Sequence, residues 1–209
     1  MQVSPDTLAR LAGSDPVIAK LIDRYGTPDG LLERRGRRPG DAYGALVRSI
    51  VGQQLSTRSA RAIFGRLIEL FDDRTPTPRE LLDVDPQTLR EVGLSRAKVA
   101  YLRDLAERVE DGELDLEGIA ELPDEDVAAQ LTQVKGLGPW SVQMFLIFHL
   151  GRPDVLPVGD LGIRRAIQDQ YGLDEPPDAA EMERIAEPWR PNRSLASLYL
   201  WRSLDATPV

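Results

Sequence analysis

Val134-Lys135-Gly136-Leu137-Gly138-Pro139-Trp140 separates two apolar, helix-periodic runs, so the chain must turn there in a Gly-x-Gly hairpin between helices. Glycines let the backbone pass close to a phosphate with no side chain in the way, and the N–H groups that open the next helix point at it. Further on, Leu156-Pro157-Val158-Gly159-Asp160-Leu161-Gly162-Ile163 sets one carboxylate at the mouth of another helical run. A phosphate clamp followed by a lone acid points to chemistry on a nucleic acid.

Working outward, the periodicity is helical nearly throughout. Ala60, Ile63, Phe64, Leu67, Ile68 and Phe71 repeat at the three-four spacing of one helix face, as do Val99, Leu102, Leu105, Ala106 and Val109. Trp140 to Leu150 is apolar on almost every side, the pattern of a helix covered all round. Asp160 precedes Ile163, Ala166 and Ile167, and Asn192 precedes Leu195, Leu198 and Tyr199, so both read as helix N-caps. Prolines such as Pro76, Pro123, Pro157 and Pro177 punctuate these runs. No stretch alternates as a strand between hairpin turns, and the expected fold class is all-α.

A chain of 209 residues, 42% hydrophobic, can bury a substantial core. No apolar run reaches the roughly 20 residues that span a bilayer, and Met1-Gln2-Val3-Ser4-Pro5 is not a charged-then-apolar leader. A soluble, cytoplasmic protein with no membrane partner is expected, nucleoid-associated if bacterial. With no cysteine, disulfides, thiolate zinc sites and iron-sulfur clusters are excluded. The net charge of −8 argues against nucleic-acid binding, because phosphate contacts need a basic surface. The charge is uneven, however. Asp104 to Asp126 is strongly acidic, whereas Arg34, Arg35, Arg37, Arg38, Arg58, Arg61, Arg66, Arg96, Lys98, Arg103 and Lys135 cluster elsewhere. A basic face with an acidic back binds DNA in spite of the total, with strong salt sensitivity.

Residues Leu131 to Ile167 together resemble the helix-hairpin-helix DNA glycosylase superfamily. Lys135-Gly136-Leu137-Gly138-Pro139-Trp140 and the Asp160 loop are most similar to its alkylpurine branch, the 3-methyladenine DNA glycosylase II type. The similarity continues in Tyr43-Gly44-Ala45-Leu46-Val47-Arg48-Ser49-Ile50-Val51-Gly52-Gln53-Gln54-Leu55-Ser56, in Val92-Gly93-Leu94-Ser95-Arg96-Ala97-Lys98 and in Trp189-Arg190-Pro191-Asn192-Arg193-Ser194. It covers residues 41 to 204. One Gly-x-Gly turn is common; several motifs in the right order are specific. The resemblance implies two helical lobes flanking a DNA-binding cleft. Residues 41–132 would form a central helical bundle, and residues 1–40 plus 133–209 a second lobe carrying the hairpin and the catalytic acid.

By local sequence Asp160 is a cap, aspartate being a favoured one. The resemblance adds catalysis, because Asp160 stands 22 residues after Gly138, as the superfamily's essential aspartate does. One carboxylate suits cleavage of an N-glycosidic bond: positive charge builds on the sugar, and an anion stabilises the oxocarbenium-like transition state and orients the attacking water. Trp140 stands where bifunctional relatives carry a Schiff-base lysine, and an aromatic cannot form an imine. Trp140 and Trp201 are implied walls of a base pocket, in which stacking and cation–π attraction hold a cationic purine at about 0.5 to 2 kcal/mol per contact. Trp140 reads equally as core. Met144 replaces a tyrosine common in those enzymes.

Gln53-Gln54-Leu55-Ser56 lies on a turn between helices. In relatives this turn inserts a side chain into the space left by a flipped base; here Gln54 or Leu55 would do so. The plainer alternative is a polar turn capped by Ser56 or Thr57. Lys135, Gly136 and Gly138 are expected to face phosphate, and the carbonyls of Val134 and Gly136 to hold a structural sodium or potassium ion. No other metal or cofactor is expected. His149, the sole histidine, lies inside the apolar run and reads as a core or rim residue.

The expected function is a monofunctional DNA glycosylase, a monomer acting on double-stranded DNA that contains N-alkylated purines of the 3-methyladenine and 7-methylguanine class. A base that is already cationic leaves without a general acid, so a single carboxylate suffices. Two alternatives stand beside it: a glycosylase for neutral lesions such as uracil, hypoxanthine or ethenoadenine, and a helix-hairpin-helix protein that only binds DNA.

Overall fold

The computed structural model describes residues 3–27 and 41–204. Its helix starts follow from short polar residues, often with proline next. Ser4, Asp15, Thr77 and Asp85 each accept a backbone N–H from the first turn, and the proline that follows has no N–H to leave unpaired. They open α1 (Pro5–Ser14), α2 (Pro16–Tyr25), α5 (Pro78–Asp83) and α6 (Pro86–Glu91). Asp41, Ser56, Ser95, Asp160 and Asp178 cap α3 (Ala42–Gly52), α4 (Thr57–Glu69), α7 (Arg96–Glu110), α10 (Leu161–Tyr171) and α11 (Ala179–Ala186). The remaining α-helices among the described residues are α8 (Asp124–Leu131), α9 (Pro139–Phe148) and α12 (Arg193–Leu204). The described residues contain no strand, so the fold is all-α. Among them no helix is long and apolar enough to cross a membrane.

The chain divides into two compact units, Pro39–Val142, and Met1–Arg38 together with Gln143–Val209. In the first, α3 packs on α4 and α7, and α5 and α6 pack on α7. The apolar stripe of α7 supplies Val99, Leu102, Leu105 and Ala106 to this core, facing Leu46, Val47 and Ile50 of α3 among others. Each large side chain so buried contributes about 1.5 to 3 kcal/mol. Residues 133–142 correct the expected boundary at 132/133, because the structure groups them with this unit and not the second. The cause is polar: the Lys135 N–H donates to Asp104 Oδ2 at 2.9 Å, and Gln53 Nε2 donates to the Gly136 carbonyl at 2.7 Å.

In the second unit α12 packs on α2 and α10 and is buried from Ser194 to Trp201. It therefore lacks a polar face. Asp15 joins three distant segments: it caps α2, and its Oδ2 accepts from Tyr171 Oη at 2.7 Å and from Trp189 Nε1 at 3.1 Å. Burial and the Asp15 carboxylate push the Tyr171 phenol far above its usual pKa. At α12 the Arg193 N–H goes to Asp154 Oδ1 at 3.3 Å, next to the expected cap Asn192. The arginines expected on a basic face at Arg34, Arg35, Arg37 and Arg38 lie outside the described residues.

Candidate active site and nucleic-acid interface

In the unit Pro39–Val142, α3 ends at Gly52 and the chain turns through Gln53-Gln54-Leu55-Ser56. Gln54 is left-handed at φ 57, a conformation that costs a residue with a Cβ roughly 1 to 2 kcal/mol. Ser56, not Thr57, caps α4, its Oγ accepting from Ser59 N at 3.2 Å. The Gln53 amide reaches from this turn to the Gly136 carbonyl, tying turn and hairpin together.

Gly136 has φ 82, and a Cβ there would overlap the Tyr101 ring, so both backbone and packing demand glycine. At Gly138 a Cβ would meet nothing, and the bare backbone faces open space. Gln53, Gln54, Lys98, Tyr101, Gly136 and Trp140 line one cavity of about 410 Å³. Trp140 is 41% exposed and Leu55 37%, so neither is core.

The cations of this unit are partly committed to its own structure. Lys98 Nζ donates to the carbonyls of Val51 at 2.8 Å and Gln53 at 2.7 Å, and burial lowers its pKa. Arg66 Nε donates to the Val92 carbonyl at 2.9 Å, and Arg103 to that of Leu82 at 3.0 Å. Lys135, expected to face phosphate, pairs its ammonium with Asp104 Oδ1 at 3.0 Å. Its side chain stays exposed, so a phosphate would share it with Asp104. Burial pushes the Asp104 carboxyl up, but the Lys135 N–H, the Lys135 ammonium and Arg108 outweigh burial and hold it below its usual value. Arg58, Arg61 and Arg96 are exposed.

The unit that contains Gln143–Val209 holds the acid. Asp160 caps α10, and its Oδ1 accepts from Ile163 N at 2.9 Å and from Trp201 Nε1 at 2.9 Å. Two donors on one oxygen fix the carboxylate plane. A Cβ at Gly162 would come within 3.0 Å of that same oxygen, so glycine makes room for it. Trp201 is 2% exposed, with Phe148 at 5.6 Å between ring centroids. It thus has almost no open face for stacking, and its indole N–H orients Asp160. Met144 is half-buried, and His149 stacks on Phe145 at 4.8 Å. Among the described residues no cluster of acids and histidines could hold a metal ion.

The family model for HhH-GPD superfamily base excision DNA repair proteins matches residues 47–191, from α3 through the hairpin and Asp160. The chain belongs to the HhH-GPD superfamily. DNA-3-methyladenine glycosylase 1 of Schizosaccharomyces pombe is 34% identical over 188 residues, covering 89% of this chain and 80% of the relative. A Bacillus subtilis relative is also 34% identical, over 78% of this chain, which spans only 59% of that protein. The S. pombe 3-methyladenine DNA glycosylase Mag1, solved with abasic DNA, superposes with a TM-score of 0.83 at 31% identity, covering 97% of this chain and 98% of that one. A DNA-3-methyladenine glycosidase from Bacillus halodurans gives 0.80 at 34% identity, over 96% and 89%.

Three residues of this HhH-GPD site escape the sequence reading. Tyr101 and Asp104, which brace the hairpin, recur with Ala97 and Arg108 at helical spacing along α7, a stripe the apolar pattern hides. Gly162 looks like any helix glycine until its distance to Asp160 is known.

Proposed function

We propose that this HhH-GPD protein is a monofunctional DNA glycosylase that flips an N-alkylated purine out of the duplex, hydrolyses its glycosidic bond and leaves an abasic site for base excision repair. The Asp160 carboxylate, fixed through Oδ1 by Ile163 N and Trp201 Nε1, is the observation that carries this reading. The 3-methyladenine names borne by its relatives support the substrate class.

In the reaction, the bond between the purine nitrogen and the sugar C1′ breaks with its electron pair going to the base, which leaves neutral. Asp160 faces the positive charge that develops on the sugar, and water adds to C1′ and gives up a proton. Trp140 offers an exposed aromatic face to a cationic base. Met144 stands four residues on in the same helix. The bare backbone at Gly138, with Gly136 beside it, approaches phosphate, and Gln54 or Leu55 fills the gap left by the flipped base. A monovalent cation at the hairpin would use second lone pairs, because the Val134 carbonyl accepts from Leu137 N at 3.1 Å and that of Gly136 from Gln53. Bound there, it would add positive charge for a phosphate.

Release of free base from methylated duplex DNA, followed by chromatography, tests the reading. The protein should release 3-methyladenine or 7-methylguanine, and Asp160→Asn should release almost none while binding damaged DNA within a few fold, since asparagine keeps the shape and the cap. Release of neutral lesions alone would reassign the substrate, and release of no base would reduce the protein to a binder.

A further inference from the structure

Lys98 sits badly by the rules of its own helix. It is the third residue of α7, after the Ser95 cap, where the positive end of the helix dipole repels a cation. Its ammonium instead points at the opposite kind of end. Val51 and Gln53 belong to the C-terminal turn of α3, where carbonyls lack partners within the helix and carry the negative end of the dipole. Lys98 Nζ bridges both oxygens, at 2.8 and 2.7 Å. The next residue, Gln54, is the left-handed one, with φ 57 and a side chain lining the cavity. From the other side Gln53 Nε2 grips Gly136. A strained turn persists only where its surroundings overdetermine it.

We propose that Lys98 is a positioning residue: by clamping the Val51 and Gln53 carbonyls it holds the Gln53–Gln54 turn in the left-handed form from which Gln54 fills the gap beside a flipped base. This rests on the base-flipping reading given above. Lys98 therefore acts through Gln54 and not through a phosphate, although its charge and its place beside the hairpin suggest a DNA contact.

A double-mutant cycle distinguishes the two. Binding of Lys98→Met, Gln54→Ala and the double variant to a duplex with a tetrahydrofuran abasic analogue, and to the intact duplex, is read by fluorescence anisotropy. Each single variant should weaken abasic-site binding by about tenfold, and the double by about tenfold as well, because coupled residues do not add. Intact-duplex affinity should stay within about twofold, and Lys98→Arg, which keeps the charge and two donors, should restore the preference. Should Lys98→Met fail to fold, Lys98→Gln, which reaches one carbonyl, takes its place in the cycle. A double variant weakened about a hundredfold, or a Lys98 variant that binds intact and abasic duplex equally less well, makes Lys98 an independent phosphate contact and overturns the proposal. If Gln54→Ala loses the preference and Lys98→Met keeps it, the proposal alone falls. If the unaltered protein does not prefer the abasic duplex, the base-flipping reading falls with it.

Discussion

Gly162→Ala should make a poorer enzyme, with the gain in helix propensity offset by the displaced Asp160 cap. Gly162 is the second residue of α10, where alanine is worth up to about 1 kcal/mol over glycine. The added Cβ would stand 3.0 Å from Asp160 Oδ1 and 3.5 Å from both Trp201 Cδ1 and Leu204 Cδ1, whereas ordinary contact begins at 3.4 Å. The carboxylate must then retreat by about 0.4 Å, the difference between 3.4 and 3.0. Its Oδ1 holds two hydrogen bonds of 2.9 Å, so at least one stretches past the roughly 3.2 Å limit of a good N–H···O bond. Misplacing a reacting group by 1 Å costs about a hundredfold, and 0.4 Å scales to roughly five- to tenfold. Single-turnover base release from methylated duplex, with a melting curve and abasic-duplex binding in parallel, reads all three effects. The rate should drop with binding held, while the melting temperature moves little because the propensity gain and the weakened cap oppose each other. A folded variant that releases base at the full rate would refute the claim that Asp160 works from this position.

Trp201→Phe removes the indole donor to Asp160 while keeping the ring against Phe148, and should slow base release about tenfold for a stability loss of about 1 to 2 kcal/mol; a normal rate in a destabilised protein would make Trp201 core alone. Asp104 has a depressed folded-state pKa, so its contribution is complete above the unfolded value of about 3.9 and is lost as pH falls through the lower folded one. Asp104→Asn should thus be less stable by about 1 to 3 kcal/mol at pH 7 by urea unfolding, with the gap closing below about pH 4; an equal gap at pH 3 would refute the pairing. Base release should leave the DNA backbone whole until hot alkali is added, and borohydride should trap no adduct, since Trp140 has no amine and the Lys135 ammonium is paired with Asp104; a trapped adduct lost in Lys135→Ala would overturn the monofunctional assignment.

What the sequence showed directly was whatever depends on neighbours in the chain. The Asp160 cap, a cap at Ser56 or Thr57 and the glycine turn at Gly136 follow from residues three or four apart and from the absence of a Cβ. What it hid depends on partners far away. The resemblance implied a stacking wall at Trp201; that its N–H meets a carboxylate 41 residues earlier needs the packing of α12 on α10. The protein partners of Lys98 and Lys135 were hidden too, because a cation announces its charge and not its partner. The hairpin was assigned to the wrong unit for the same reason, as Asp104 lies 31 residues before the N–H it receives.

The reach of Asp15 has a bearing on how the protein is made. One unit is a single uninterrupted stretch, Pro39–Val142, whereas the other is built from both flanks of it. During synthesis the first two helices emerge with Ile18 and Leu21 uncovered, and Asp15 waits for Trp189, 174 residues later. At roughly 5 to 20 residues per second that wait lasts on the order of 10 to 35 seconds. Until Trp189 is made, Asp15 has its α2 cap bonds and lacks the indole donor.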